Sequence, residues 1–183
     1  MTMSPGVRNL ALAVHLTVSV GWIGAVVAYL ALAVAAAVSV DDQTVRGAWV
    51  GMELIGWYAI VPLALASLVT GIVMALGTRW GLFRHYWVLI SFGLTLAAAA
   101  VLLLHMPDVS AAAAIARTPG TDPDTLGSDL AHPGIGLVIL LVVQVLNVYK
   151  PRGWTRYGHR RRASATRRDA APAQRRTPRR LDA

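Results

Sequence analysis

Between Tyr86 and Met106 the chain runs for 21 residues without one Asp, Glu, Lys or Arg. A helix over this stretch measures roughly 31 Å at 1.5 Å per residue, the thickness of a bilayer's hydrocarbon core. Inside that medium the backbone must satisfy its own hydrogen bonds, and a single segment does so only as a helix. Arg79, Arg84 and His85 precede the run, and His105 and Asp108 close it, so its two ends differ in charge.

Three further runs have the same character. Asn9–Val40 carries no charged residue. It exceeds the ~7–15-residue apolar core of a secretory signal, which predicts a retained helix. At roughly 48 Å that helix must tilt or project beyond the bilayer. The second run covers about 50–76, with Glu53 near its start and Pro62 inside. A proline there lacks the amide donor and crowds the preceding turn, so a kink is expected. The last run, about 131–149, is near the shortest that crosses. The expected fold class is all-α: a four-helix transmembrane bundle with spans at about 9–40, 50–76, 86–106 and 131–149. Pro107–His132 reads as a long connection, with a short helix at Ala111–Ala116 and turns where Gly, Pro, Asp and Thr gather.

A hydrophobic fraction of 56% is too high for a soluble domain of this size. The net charge of +8 would suggest nucleic acid were it spread over a folded surface. It is not: 11 of the 17 basic residues are arginines after Pro151, and the other six lie at or near the ends of apolar runs. Residues 159–183 have almost nothing to bury and are expected to be disordered. Beside the last span they would meet anionic lipid headgroups, at about 1 kcal/mol per basic residue near the surface. Without interleaved aromatic residues the tail gives no reason to expect a nucleic-acid partner. There is no Cys, which excludes disulfides, thiolate metal sites and a thiol nucleophile.

Arg8, Arg79, Arg84 and the tail fall on one side of the four spans. Asp41, Asp42, Arg46, Asp108, Arg117, Asp122, Asp124 and Asp129 fall on the other. The positive-inside rule then predicts a multi-pass plasma-membrane protein with both termini cytoplasmic. Trp49, Trp57, Trp80, Tyr86, Trp87, Tyr149 and Trp154 sit near span ends, where interfacial aromatics belong.

At 100° per residue, His15, Ser19, Trp22 and Tyr29 share a sector of the first span. Glu53, Gly56, Ser67 and Gly71 share one face of the second, and Ser91, Thr95 and His105 one face of the third, with His85 roughly opposite. Small residues at four-residue spacing (Gly21/Ala25, Gly24/Ala28, Ser67/Gly71) allow close helix packing. His15, Thr70, Ser91 and Gln144 reach similar depth, forming one polar layer from all four spans. Such a layer serves as interhelical glue, with His15 bonded to Gln144 or Ser91, or as a proton or small-ion path.

At the opposite end Met52, Glu53, His105, Met106, Asp108 and His132 approach one aqueous face. Glu53, His105 and His132 are the candidate metal ligands; His with Met would suit copper, and His with carboxylate zinc or iron. Glu53 has Arg46 and His105 as alternative partners. His15, His85 and His105 are the candidate ligands for a haem b, which needs two histidines on facing helices at matching depth. The aspartates of the third loop read as solvated charges, since no calcium-loop spacing is present.

The segments WGLFRHYWVL (Trp80–Leu89), LLLH (Leu102–His105) and HPG…VYKPRGWTRYG (His132–Gly158) resemble an uncharacterised family of bacterial four-span membrane proteins, of the kind frequent in high-GC Gram-positive bacteria. The resemblance covers about Arg8–Gly158. The family is distantly similar to copper-resistance D membrane proteins and to four-helix haem-binding membrane oxidases. That likeness keeps His15, His85 and His105 as candidates but transfers no activity. It also implies a lysine in the third span where this chain has Ser91. The leading expectation is a structural or partner-binding membrane protein, with a homo-oligomer or another membrane protein as partner. The alternative is a metal- or haem-binding redox or transport protein.

Overall fold

The computed structural model describes residues 3–77, 85–151, 153 and 155. The expectations for residues 159–183, and for Arg79, Trp80, Arg84 and Trp154, lie outside these residues. The described elements are α1 (Pro5–Val38), α2 (Asp42–Ile55), a π turn (Gly56–Ile60), α3 (Val61–Gly77), α4 (Tyr86–Arg117), a short 3-10 turn (Pro123–Leu126) and α5 (Ala131–Tyr149). α2, the π turn and α3 form one continuous rod. Four rods of 34, 36, 32 and 19 residues result, each long and apolar enough to cross a membrane. Their outward faces carry Val69, Leu104, Val138 and Val145, all more than half exposed, as lipid-facing surfaces require.

Local chemistry sets the element ends. Pro5 opens α1, where a missing N–H costs nothing. Asp41 caps α2 by accepting from the Thr44 hydroxyl and the Thr44 N–H, at 2.6 and 2.9 Å. Those bonds hold its carboxyl below the usual carboxylate range. α5 ends on Lys150 in the left-handed region (φ 46°), whose N–H returns to the Leu146 carbonyl.

The two prolines act differently. Pro62 cannot donate to the Tyr58 carbonyl, and the helix widens just before it: the Val61 N–H bonds the Gly56 carbonyl five residues back. The widening also shifts the helical phase. Gly56 packs on Met106 and Ser67 on α1, while Glu53, on the turn before the widening, pairs with Arg117. Pro107 does not end α4, which continues to Arg117 instead of giving way to a loop and a separate short helix. An interior proline costs about 3 kcal/mol. Strong helix formers at Ala111–Ala114, and burial of Val109, Ala113 and Ala116, offset it.

The Met3 N–H bonds the Gly77 carbonyl, and the Tyr86 N–H bonds the Gly153 carbonyl. These contacts bring the start of α1, the end of α3, the start of α4 and the segment after α5 to one end, so successive rods run antiparallel. We call it the basic end, after Arg8 and Lys150. At the other, acidic end, α2, the last turns of α4 and residues 118–130 make a small cap. Arg46 on α2 is its clasp: the guanidinium donates to the carbonyls of Ala116, Thr118 and Thr121 and to the Thr121 hydroxyl. Those contacts satisfy carbonyls that the end of α4 leaves open and place a cation at the negative end of its dipole. Gly120 and Gly127 turn the loop at φ 81° and 64°, values that side chains rarely adopt.

Candidate metal centre

Beneath the cap, four side chains from α1, α4, α5 and the loop meet. Asp129, with its carboxylate 5% exposed, is the hub. The Tyr29 hydroxyl donates to its Oδ2 at 2.6 Å. His105 Nε2 lies 2.9 Å from the same oxygen, and His132 Nδ1 lies 3.2 Å from Oδ1. An ionised carboxylate only accepts, so both facing ring nitrogens carry protons in this arrangement. The two imidazoles stack, with centroids 3.7 Å apart and planes 12° from parallel. His132 is half exposed, so the cluster is open on one side.

Each partner has a reason to be there. Tyr29 falls in the same sector of α1 as His15, Ser19 and Trp22, and all four project inward. His105 closes the uncharged run of α4. Asp129 and His132 flank the start of α5, three residues apart, which brings both to one side of a helix entrance.

The ligand atoms of His105, Asp129 and His132 lie within 4.8 Å of one another. A tetrahedral ion with bonds of ~2.0–2.1 Å needs donors about 3.3 Å apart. The two His–Asp distances are near this value, but they run to different oxygens, 2.9 Å from His105 Nε2 to Oδ2 and 3.2 Å from His132 Nδ1 to Oδ1. Drawing the imidazoles onto a shared ion requires His132 to tilt from its stack, which its exposure permits. The set is two nitrogens and one carboxylate, with the Tyr29 hydroxyl on the carboxylate oxygen that also faces His105, and such donors suit zinc and non-haem iron. Met106 is fully buried, and its sulfur lies against Gly56. The donor set therefore suits a divalent ion and not thioether-bound copper.

Several sequence candidates go elsewhere. Glu53 is not part of the cluster, since its carboxylate is paired with Arg117. Met52 is buried in the core. For haem, His15 stands toward the basic end, bonded through Nδ1 to Thr70 at 2.9 Å. His85 precedes α4 in extended backbone, so the helical projection that turned it outward does not apply; it is buried beside Trp87. It lies twenty residues, about 30 Å, from His105 along α4. His105 and His132 are the imidazoles that meet, and 3.7 Å between stacked rings leaves no width for a macrocycle.

Of the expected polar layer, His15 bonds Thr70 and not Gln144 or Ser91. The Thr70 hydroxyl donates to the Ala66 carbonyl at 2.7 Å, so His15 is the donor to Thr70. Ser19 and Ser67 bond at 3.0 Å one turn further in. Ser91 is buried, its hydroxyl has no partner among the described residues, and it lines a cavity of about 490 Å³ with His15 and Gln144. Gly21 and Gly71 do admit neighbours closely, Leu63 and His15 respectively, whereas Gly24 faces open space.

A second cavity, of about 360 Å³, is lined by His105, Asp129 and His132 at one place and otherwise mainly by apolar residues, among them Trp22, Val26, Val101, Leu102 and Leu140. Asp129 is the residue that sequence reasoning passed over, by grouping it with the loop's solvated aspartates. Its spacing of three from His132 was the available sign. Comparison with family models, with curated proteins and with solved structures found no match to this chain.

Proposed function

We propose that this multi-pass protein resides in the plasma membrane with both termini cytoplasmic and holds a divalent transition-metal ion at its outer face through His105, Asp129 and His132. The orientation is supported by the charge difference between the two ends of the bundle. The metal reading is carried by one observation: two imidazole nitrogens and a buried carboxylate gathered within 4.8 Å, with a tyrosine steadying the carboxylate. On binding, the ion would replace the protons that now lie between the rings and Asp129. The arginine-rich tail would add an electrostatic hold on anionic lipid.

A second reading has its own support. Asp129 already accepts three hydrogen bonds, so the cluster is complete as an interhelical tie and the protein would be a structural or partner-binding component. Cobalt separates the two. Purified protein titrated with Co²⁺ should develop the visible bands of a low-symmetry site at one equivalent. Asp129→Asn should abolish them while helix content and elution volume stay unchanged. A colourless titration of the folded wild type would remove the metal reading and leave the tie.

A further inference from the structure

The 490 Å³ cavity toward the basic end holds polar groups that no bond within the bundle uses. Gln144, Asn147 and Lys150 follow one another at three-residue spacing on α5, and all three line it, as does His15 on α1. Trp22 and Leu140, which also border the apolar cavity, stand at its inner end. At 1.5 Å per residue Gln144 lies about 6 Å from that floor, and His15 and Asn147 about 10 Å. Lys150, exposed at the basic end, stands at the rim.

Three of these groups are unanswered. Thr70 gives its hydroxyl proton to the Ala66 carbonyl, so the bond from His15 to Thr70 uses a proton on Nδ1. In the neutral ring Nε2 is then a bare acceptor. It has no partner among the described residues, and neither do the Gln144 and Asn147 amides. All three side chains are half-buried, and their polar atoms are not sealed as the Ser91 hydroxyl is. Left against lipid, each such group would cost about 1–3 kcal/mol. An acyl chain cannot answer them. Water can: it donates to Nε2 and both donates to and accepts from the amides, and 490 Å³ holds on the order of ten molecules.

We propose that this cavity is a water-filled inlet from the basic end and that His15 is a proton-binding site served through it. A hydronium ion in the inlet gives its proton to Nε2, whose lone pair forms the new N–H bond, and is left as water. The Nδ1–H stays on Thr70, so the imidazolium keeps its place. Release returns the proton to the same end, because Trp22 and Leu140 offer no acceptor to carry it further. Lys150 is the other titratable side chain among the described residues lining the cavity; α3 and α4 present neutral ones to it. The site is separate from the candidate metal centre and does not depend on it.

The test uses the full chain in phosphatidylcholine nanodiscs, with both ends in water. Gln144→Cys and Asn147→Cys should each react with a charged methanethiosulfonate about tenfold faster than Val145→Cys, because the attacking thiolate forms in water and Val145 faces lipid at the same depth. In protein carrying isotope-labelled histidine, the nitrogen NMR signals lost in His15→Gln identify this ring. At high pH they should show a proton on Nδ1 and a bare Nε2, and on acidification Nε2 should gain a proton. Equal reaction rates for the three cysteine variants would overturn the inlet. A proton on Nε2 at high pH, or a His15 ring that does not titrate while the protein stays folded, would overturn the proton site.

Discussion

Tyr29 is the residue on which the candidate centre turns most sharply. It touches no proposed ligand nitrogen, and its effect passes through Asp129, to which its hydroxyl donates at 2.6 Å. Partners of this kind typically contribute 10–100-fold to metal affinity. Tyr29→Phe is expected to weaken Co²⁺ binding by about that factor while preserving the visible spectrum of the saturated site, because the three ligands remain. Glu53→Gln makes the contrasting prediction: its carboxylate pairs with Arg117, so metal affinity should be unchanged. The sequence made His105 and His132 legible because imidazoles at span ends are few. It did not make Asp129 legible, because several aspartates share that loop and only tertiary folding decides which one turns inward. Glu53 was grouped with the two histidines only because it lies at the same end of the spans, and that proximity does not reveal its pairing with Arg117.

At the scale of elements, Arg46 joins α2 to the end of α4 and to the loop that delivers Asp129. It was visible in the sequence as a charge near a span end, with Glu53 as a conceivable partner. Its true partners are backbone carbonyls, which no side-chain pattern reveals. Removing a charged donor from such acceptors costs about 1.5–3 kcal/mol. Arg46→Ala should therefore lower thermal stability in detergent. It should also raise hydrogen exchange in residues 111–130 before the spans themselves open. Uniform exchange across the cap in the variant and the wild type would contradict that role. The spans were readable from uncharged runs alone, since lipid-facing helices leave a long and simple signature. Pro107 was the exception: a proline reads as a stop, and only the buried faces of Val109, Ala113 and Ala116 explain why α4 passes through it.

For the whole molecule, the account depends on which end faces out. The chain has no cysteine, so single cysteines report position without background. A cysteine at Gln43, exposed at the start of α2 at the acidic end, should react with an impermeant maleimide on intact cells. A cysteine at Ser4 should react only after lysis. The reverse pattern would invert the proposed topology and place the candidate centre on the cytoplasmic face. Among the described residues a hydroxyl-rich cavity lies toward the basic end and the His–Asp–Tyr cluster at the acidic end, with Trp22 and Leu140 bordering both cavities.

The metal reading is tested most directly by X-ray absorption at the zinc edge of protein loaded with one equivalent of Zn²⁺. The expected first shell contains only nitrogen and oxygen at ~2.0–2.1 Å, with outer-shell scattering from two imidazoles. A spectrum lacking imidazole scattering, or containing sulfur at ~2.3 Å, would contradict coordination by His105, Asp129 and His132.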